Sequence, residues 1–408
     1  MDMGTGKRQS ILGKFPNITD HGKNEKKLKE TAKQFALQAR GLAGEHSAMD
    51  KEGTADISPM ARFGVTEAYV AEKLYSGLVK LYGIEKETSN CVYLEDARKE
   101  FLNGDGNVDW DKVEARWAEL KKVKESLANK YFTPECSKKA RSLAQEDQQR
   151  LLNVMMGGLA NDDSGVGAYA TSPEDYDRFS FFLEPLIREY HGIEGDTKQR
   201  HDWNIPVGKY LLTSINPNLK SVSMRARVAR NVKGWNLPPL MSKDERIRFE
   251  DTMEKIFSSF GIDGRYYSLT PGHKCFVSNE EADQMRAKHY LFNDVTTDNH
   301  LTSSGVANDW PYGRGIWLST DKTKMIWVGE EDQLRIISIV HGNDLGVVDA
   351  SLHELLSKME KSGITFAEHP TYGVITTCPT NMGTGKRQSI LGKFPGITQN
   401  GSFEKKLK

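Results

Sequence analysis

Residues 221–230 read SVSMRARVAR, and this stretch decides the class of fold. Apolar side chains alternate in it with Ser and Arg, the pattern of a β-strand with one face in a core and the other face open. Side chains two residues apart leave the same face of a strand, so Arg225 and Arg227 point to the same side. The stretch therefore predicts a sheet face that presents two neighbouring guanidinium groups.

Further alternating stretches occur on both sides of this strand along the chain. They are residues 209–215, 313–320, 324–331, 334–340 and 372–378. Helical patterns lie between them, and residues 242–261 predict an amphipathic helix with a capping box at Ser242 and Glu245. Strands interleaved with helices that pack outside a sheet indicate an α+β fold.

The pattern before Gly192 is helical instead. Residues 108–132, 144–159 and 176–191 each read as helices. The part of the chain from about residue 95 to about residue 195 is therefore expected to form a small all-helical unit that precedes the larger α+β part.

Composition excludes several classes of protein. Basic and acidic residues balance at 56 each, so no whole-chain charge points to nucleic acid or to a membrane surface. No apolar run approaches the length of a membrane span, and the first residues lack the apolar core of a signal peptide. The four cysteines lie far apart without a CxxC spacing, which argues against a zinc site or a disulfide framework. We expect a cytoplasmic protein with no nucleic-acid partner and no membrane partner.

One fourteen-residue sequence, MGTGKRQSILGKFP, occurs twice, at residues 3–16 and at residues 382–395. Its GTGK is not a Walker A loop, because Arg follows the lysine where that motif needs Ser or Thr, and the motif's first glycine is missing. The repeat, offset by 379 residues, is therefore a question of chain organisation.

Several arginines lie on or beside the predicted strands. Besides Arg225 and Arg227, Arg335 lies in the strand 334–340, and Arg387, with its twin Arg8, follows GTGK. Guanidinium groups offer a fork of donors that suits phosphate oxygens, so several on one sheet face can hold a triphosphate without a P-loop. Each arginine taken alone is equally compatible with a surface salt bridge.

Carboxylates and a cysteine lie near the ends of the predicted strands. Glu330, Glu331 and Asp332 form an acidic stretch, Glu45 lies in RGLAGEH, and Cys378 ends an apolar strand. A carboxylate can orient a nucleophile or take its proton, and acidic groups can hold Mg²⁺ through water. The alternatives are a solvated acidic turn and a buried, unreactive thiol.

Taken together, these stretches resemble the phosphagen (ATP:guanido) kinases, and among them the arginine kinases. The resemblance rests on RGLAGEH, SMRARVAR, NDWPYGRGIW, WVGEEDQLRIIS and CPTNMGTGKR. DSGVGAYA is similar to the guanidino-specificity loop in the short form of arginine kinases. The resemblance implies a small all-α domain and a larger domain with an antiparallel β-sheet flanked by helices.

The resemblance also implies a role for each matching residue. The residues that match the catalytic positions are Glu331, Glu45 and Cys378. Those that match the ATP-phosphate-binding positions are Arg225, Arg227, Arg335, Arg387, Arg8 and Arg40. The residue that matches the nucleotide-contacting histidine is His289, and the loop over the guanidino substrate is matched by Ser164, Gly165, Val166, Gly167 and Tyr169. The residues expected to hold Mg²⁺ through water are Glu330 and Asp332.

The implied reaction is reversible transfer of the γ-phosphoryl group of MgATP to a guanidino nitrogen of arginine, which gives ADP and phosphoarginine. The expected partners are therefore ATP or ADP and a small guanidine. The short loop favours arginine, while taurocyamine and creatine stay open as substrates. An inactive fragment that binds nucleotide is the alternative of a different class.

The order of the motifs is permuted relative to the family. The expected domains are residues 1–88, the C-terminal part of the catalytic domain; residues 89–198, the helical substrate domain; and residues 199–408, the main ATP-binding part, in which 382–408 duplicates 3–28. The chain thus resembles an out-of-register piece of a tandem two-unit enzyme, in which residues 29–87 dock onto residues 200–395. The two copies of the repeat compete for one place, and we expect the copy left over to promote association between chains.

Overall fold

The structure, a computed structural model, describes residues 91–199, 222–342 and 344–392. The chain divides into two units, Met1–Asn90 and Cys91–Lys408, and every described residue belongs to the second. The expected docking of residues 29–87 therefore lies outside the described residues.

Helices form the first part of the described chain. In order they are α1 (Leu94–Ala97), a 3₁₀ turn (Arg98–Phe101), α2 (Trp110–Val123), α3 (Leu127–Tyr131), α4 (Pro134–Ser142), α5 (Gln145–Leu159), α6 (Asp175–Arg178) and α7 (Ser180–His191). The helix predicted over residues 108–132 is two helices, because Lys124 is extended and Ser126 begins a new helix by accepting from the Asn129 N–H. Gly192, in the left-handed conformation, ends α7.

These helices share one apolar core. Its fully buried members include Val113, Leu152, Met155 and Phe182. The same core includes Ile375 and Met382 from the other end of the described chain. The helical unit is thus packed against the segment that carries Cys378.

A six-stranded antiparallel sheet forms the second part. Its strands are β1 (Val222–Arg230), β2 (Gly264–Ser268), β3 (Gly315–Ser319), β4 (Lys324–Val328), β5 (Leu334–His341) and β8 (Lys386–Gly392), in the order β2-β3-β4-β5-β1-β8. A two-stranded hairpin joins β6 (Glu368–His369) to β7 (Gly373–Val374). The accompanying helices are α8 (Lys243–Ser258), α9 (Asn279–Ala287), α10 (Asn299–Ser303) and α11 (Leu345–Lys361), with 3₁₀ turns at Val295–Thr297 and Pro379–Asn381. The predicted α+β fold is confirmed.

One face of the sheet is buried under α8 and α11. On β1 it carries Met224, Ala226 and Val228, which share a core with Phe249 of α8 and Leu352 of α11. The alternation in SVSMRARVAR therefore does separate a core face from a second face, as the sequence predicts. No helix in the described part of the chain is long and apolar enough to cross a membrane.

The capping box predicted for α8 is only half formed. Ser242 Oγ accepts the Glu245 N–H at 3.2 Å, but the Glu245 carboxylate accepts from Asn236 instead. The helix still begins where the sequence predicts.

The strand predicted over residues 372–378 is wrong beyond Val374. Only Gly373–Val374 pairs as a strand. The N–H of Ile375 donates to the Ala367 carbonyl at 3.0 Å, but its carbonyl accepts from the Asn231 side chain at 3.1 Å, so the strand ladder ends there.

The second copy of the repeat supplies β8, which pairs with β1 over Lys386–Gly392. The first copy, residues 3–16, lies outside the described residues. The predicted boundary between residues 198 and 199 stays a prediction.

Candidate active site

Four arginines lie on the face of the sheet that is opposite α8 and α11. Arg227 lies opposite Arg387 across the β1–β8 pair, and Ala229 lies opposite Arg335 across the β1–β5 pair. Directly opposed residues share a face, and residues two apart on one strand do too, so Arg225 joins the set. We call Arg225, Arg227, Arg335 and Arg387 the arginine array.

The array concentrates positive charge. The pKa of Arg227 is lowered to about 10, first by burial and then by the charges of Arg335, Arg225 and Arg387, while Glu330 offsets part of this. A lowered pKa among like charges means that a bound polyanion relieves repulsion. The array therefore suits a group with several phosphate oxygens.

A short turn brings carboxylates to the array. Residues 329–333, here the acidic turn, close with a hydrogen bond from the Gly329 N–H to the Gln333 carbonyl at 2.9 Å. Gly329 has φ +73°, and a Cβ there would lie 2.6 Å from the Gly313 carbonyl oxygen, so the turn needs glycine. Arg335 Nη2 lies 2.9 Å from Glu330 Oε2 and 3.3 Å from Glu331 Oε2.

Glu331 is placed to exchange a proton near neutral pH. Its Oε2 also accepts from Asn381 Nδ2 at 3.2 Å. Burial, followed by the charge of Asp332, raises the pKa of Glu331 to about 7, although Arg335 favours the ionised form. A carboxylate with such a pKa can both orient a cation and accept its proton.

The Asp332 carboxylate is held by hydrogen bonds from outside the arginine array. It is 2% exposed, and its Oδ1 accepts from Asn231 Nδ2 at 2.8 Å and from the Thr377 N–H at 2.7 Å. Burial raises its pKa. Asp332 joins the end of β1 to the segment before Cys378, and its expected role at Mg²⁺ stays a prediction.

The segment of residues 375–382, here the cysteine segment, is held by the helical unit as well. The Thr376 carbonyl accepts from the Tyr176 hydroxyl at 2.6 Å, and the Thr377 carbonyl accepts from the Ala170 N–H at 2.8 Å. Cys378 is therefore positioned by both parts of the described chain.

The Cys378 thiol is neutral here. Its Sγ lies 3.2 Å from Thr380 Oγ1. Burial, followed by the charge of Glu331, raises the pKa of Cys378 to about 12. The thiol is thus near Glu331, and in this state it is protonated at neutral pH.

The loop of residues 164–169 rests on α3 through its backbone. The Gly165 carbonyl accepts from the Leu127 N–H at 3.0 Å, and the Val166 carbonyl accepts from the Ala128 N–H at 2.8 Å. Ser164 and Gly167 are buried at either end of this contact, and Gly167 has φ +79°. The loop is thus tied to the helical unit.

Tyr169 reaches from this loop to the site. Its N–H donates to the Val154 carbonyl at 2.9 Å, and its ring lies over Gly157, where an added Cβ would meet it at 2.6 Å. Burial, and then the proximity of Cys378 and Glu331, raises the pKa of Tyr169 well above its usual value. Groups from the helical unit, the cysteine segment and the sheet therefore converge.

Two descriptions of known protein families match parts of this chain. The description ATP:guanido phosphotransferase, C-terminal catalytic domain, matches residues 1–88 and 248–408. The description ATP:guanido phosphotransferase, N-terminal domain, matches residues 122–188, which lie between those two ranges.

This chain belongs to the ATP:guanido phosphotransferase family. The family's domain order is permuted in it, because the catalytic-domain match is split around the N-terminal-domain match.

Relatives with different substrates in their names resemble this chain about equally in sequence. An arginine kinase of Anthopleura japonica is 32% identical over 99% of this chain and 53% of its own length. A taurocyamine kinase of Schistosoma mansoni is 31% identical over 97% of this chain and 51% of its own length. An arginine kinase of Amphioctopus fangsiao is 34% identical over 68% of this chain and 78% of its own length. The chain spans about half the length of the first two.

Solved structures agree on the fold. The duplicated taurocyamine kinase of Schistosoma mansoni with bound transition-state analogue components aligns with a TM-score of 0.63 and 30% identity, over 83% of this chain and 46% of that one. A lombricine kinase aligns with a TM-score of 0.55 and 27% identity, over 65% and 76%.

The structure brings some of the predicted guanidino kinase residues together and leaves others apart. The helical unit, the cysteine segment and the sheet converge in one region. This region contains the array, Glu330, Glu331, Cys378 and the loop of residues 164–169. His289 lies two residues beyond the end of α9, at φ +60°, with its N–H donating to the Arg286 carbonyl at 2.9 Å, and its nucleotide role stays a prediction. The residues that lie outside the described residues are Arg8, Arg40 and Glu45.

The described residues suit Mg²⁺ that arrives with ATP. No group of three or more His, Cys, Asp or Glu side chains able to hold a metal occurs in the described part of the chain. Mg²⁺ commonly binds through substrate phosphates, water and one or two carboxylates. Glu330, beside Arg335 at the edge of the array, is the carboxylate that fits such a role.

Sequence reasoning missed two positioning residues. Asn231 holds the cysteine segment and Asp332, and its Oδ1 accepts the Gln333 N–H at 2.9 Å. The Arg314 side chain donates a hydrogen bond to the Gly329 carbonyl. A polar residue directly after a strand is a signal for Asn231, whereas its partners lie 101 to 144 residues away along the chain and cannot be identified from the sequence.

Proposed function

We propose that this guanidino kinase transfers the γ-phosphoryl group of MgATP to a guanidino nitrogen of arginine. One observation carries the proposal: an array of four arginines ends at a partly buried carboxylate, Glu331, whose Oε2 lies 3.3 Å from Nη2 of the array's own Arg335. Phosphate groups and a guanidinium are the two chemical groups that such neighbours bind best.

The arginine array binds the phosphates and neutralises charge that spreads over the oxygens during transfer. Mg²⁺ would enter as part of the substrate, where Glu330 would hold it through water and the metal would neutralise phosphate charge. Glu45 and Arg40 lie outside the described residues, and their expected roles stay predictions from the sequence.

Glu331 orients the guanidinium and accepts its proton. The N–P bond forms as the bond between the γ-phosphorus and the bridging oxygen breaks, and ADP leaves with the electron pair. The proton from the attacking nitrogen passes to Glu331, whose pKa of about 7 suits that exchange. Tyr169 and Cys378 border the same place and limit the entry of water.

Arginine is the proposed guanidine because residues 164–169 form a short loop. The similarity to a duplicated taurocyamine kinase favours taurocyamine as the second candidate. Arginine ends in a carboxylate and an ammonium group, whereas taurocyamine ends in a sulfonate, so the two differ where this loop lies.

A coupled assay of ADP release tests the proposal. The purified 408-residue chain is given MgATP with arginine, taurocyamine or creatine, and Glu331→Gln is the matched control. Turnover with arginine that is lost in the control supports the proposal, and turnover with taurocyamine alone assigns the second candidate. A chain that binds ATP but turns over none of the three guanidines contradicts it.

The proposal includes the compartment and the partner. All four cysteines are free, which supports a reducing cytoplasm. Residues 7–13 repeat the sequence of β8, so we also propose that this copy takes the place of β8 beside β1 of another chain. Light scattering during size exclusion tests this, because deletion of residues 1–16 is expected to reduce association and leave the site of β8 intact.

A further inference from the structure

Arg314 is a buried cation with no role in the scheme above. It is 0% exposed and lies just before β3. Burial, together with the charge of the nearby Arg246, lowers the pKa of Arg314 well below its usual value. An arginine so placed needs acceptors for its five N–H groups.

Backbone carbonyls supply these acceptors. Arg314 Nη1 donates to the Tyr312 carbonyl at 2.6 Å, and Nη2 donates to the carbonyls of Val306 and Asn308, both at 2.8 Å. Nε donates to the Gly329 carbonyl at 3.2 Å. The guanidinium therefore joins the loop of residues 306–312 to the acidic turn.

The bond from Arg314 Nε to the Gly329 carbonyl connects Arg314 to the turn that carries Glu331. Gly329 directly precedes Glu330 and Glu331, and its N–H closes the acidic turn on Gln333. The other end of the turn is held separately by Asn231, which accepts the Gln333 N–H. Arg314 is thus the side chain that binds the turn on the Gly329 side.

Arg314 is itself fixed in place. Its carbonyl accepts the Leu269 N–H at 2.7 Å, and the N–H of the preceding Gly313 donates to Thr270 Oγ1 at 2.8 Å. Gly313 packs so closely on α8 that an added Cβ would lie 2.4 Å from Arg246 Cβ. A rigid anchor of this kind can transmit position to a side chain two residues further along a turn.

We propose that Arg314 is a positioning residue that sets the place of Glu331 by holding the Gly329 carbonyl. The inference rests on the proposed function, since it assigns Glu331 a reacting partner. Arg314 acts through the backbone of the acidic turn and touches neither phosphate nor guanidine. The groups that face Glu331 stay the same: Glu330, Asp332 and Arg335 from its own turn and strand, and Cys378, Asn381 and Tyr169 from the other two segments.

Arg246 offers a matched control. It is 2% exposed, and its Nη2 donates to the carbonyls of Pro238 at 2.5 Å and Gly305 at 3.4 Å. It shares the residue type, the burial and the carbonyl acceptors of Arg314 but has no bond to the acidic turn. A purely structural role predicts the same phenotype for both arginines.

The first test compares Arg314→Lys with Arg246→Lys in the full chain. R314K is expected to lower kcat about 10²-fold, because a displaced turn misaligns Glu331. Its KM for ATP stays within about threefold, since the array lies on other strands. The acid limb of its kcat profile moves to lower pH, because a loosened turn admits water to Glu331. R246K lowers the melting temperature but changes neither kcat nor the acid limb.

The second test does not need activity. Hydrogen exchange of peptides that contain residues 329–335 is expected to be about tenfold faster in R314K than in the wild type, and unchanged in R246K. A wild-type chain that turns over no guanidine refutes the proposed function, and the exchange data then decide the anchoring of the turn alone.

Two results overturn the inference. One is R314K with unaltered exchange at residues 329–335 and an unaltered acid limb, whatever its stability. The other is a failure of both R314K and Arg314→Gln to fold while R246K and Arg246→Gln fold, because Arg314 would then serve the fold as a whole.

Discussion

Two sets of arginines lie in the same domain, and they differ in what their guanidinium groups bind. Arg246 and Arg314, the buried arginine pair, bind backbone carbonyls of neighbouring loops. The members of the arginine array lie beside one another on the sheet face opposite α8 and α11, and burial, followed by their mutual charge, lowers the pKa of Arg227 to about 10. The first set is bound to carbonyls of the chain itself, whereas the second gains from an added anion.

The difference shows how the surroundings of a residue type decide its role. A guanidinium that donates to several backbone carbonyls stabilises the loops it joins. Removal of that guanidinium leaves buried carbonyl oxygens without donors. A guanidinium among like charges contributes little to stability and much to binding a polyanion. The two sets therefore predict opposite divisions between activity and stability.

The largest effect is expected from Arg227→Ala. Loss of this half-buried array member removes positive charge from beside the transferring phosphoryl group and should lower kcat about 10³-fold. The melting temperature should not fall, because one like-charged neighbour has gone. Steady-state kinetics and thermal unfolding measure both, with Arg227→Lys as the charge-preserving control. Activity within tenfold of the wild type would show that the array does not hold the phosphates.

The buried arginine pair predicts the reverse. Arg246→Met should lower the free energy of unfolding by about 3 kcal/mol, because buried carbonyls lose their donor. Its kcat should stay within about threefold, as for substitutions away from a site. Urea unfolding and the ADP-release assay make the comparison. A loss of activity as large as that of Arg227→Ala would remove the distinction between the two sets.

The pH dependence tests the carboxylate at the end of the array. Because the pKa of Glu331 is raised to about 7, its ionised form, the proton acceptor, is lost as pH falls through 7. The kcat at pH 6 should therefore be about tenfold below its alkaline plateau. An acid limb near pH 4.5 would mean that Glu331 is solvated during turnover or is not the acceptor.

The same shift affects stability with the opposite sign. A carboxyl group with a raised pKa stabilises the fold most below its unfolded pKa of about 4.3, and that contribution is lost as pH rises through 7. Glu331→Gln should therefore gain stability relative to the wild type at pH 8 compared with pH 4.

The smallest effect is expected at the exposed end of the array. Arg387 is exposed on β8, so solvent and salt screen its charge. Arg387→Ala should raise the KM for ATP only about threefold, and less at high salt. Initial rates at two ionic strengths measure this. A loss comparable with that of Arg227→Ala would make the exposed arginine an equal member of the array.

The sequence predicts the elements of the site better than their junctions. The alternation of β1 and the arginines of β5 and β8 correctly place four guanidinium groups on one face, because side-chain direction in a strand is a local property. The strand predicted over residues 372–378 is wrong, because Asn231, Asp332, Ala170 and Tyr176 supply its hydrogen bonds from distant positions. Periodicity carries no information about such partners.

By itself, the sequence determined the strand faces, the permuted order of the family's motifs and the residue types of the site, since each is written in short stretches or in their order. The tertiary structure alone decided that Glu331 is partly buried beside Asp332 with its pKa raised to about 7, that Asp332 holds the cysteine segment, and that Arg314 donates to the acidic turn. Burial and the spacing of charges depend on chain segments that meet only when the protein folds. The same arginine can therefore be a ligand site or a structural anchor, and its neighbours in space decide which.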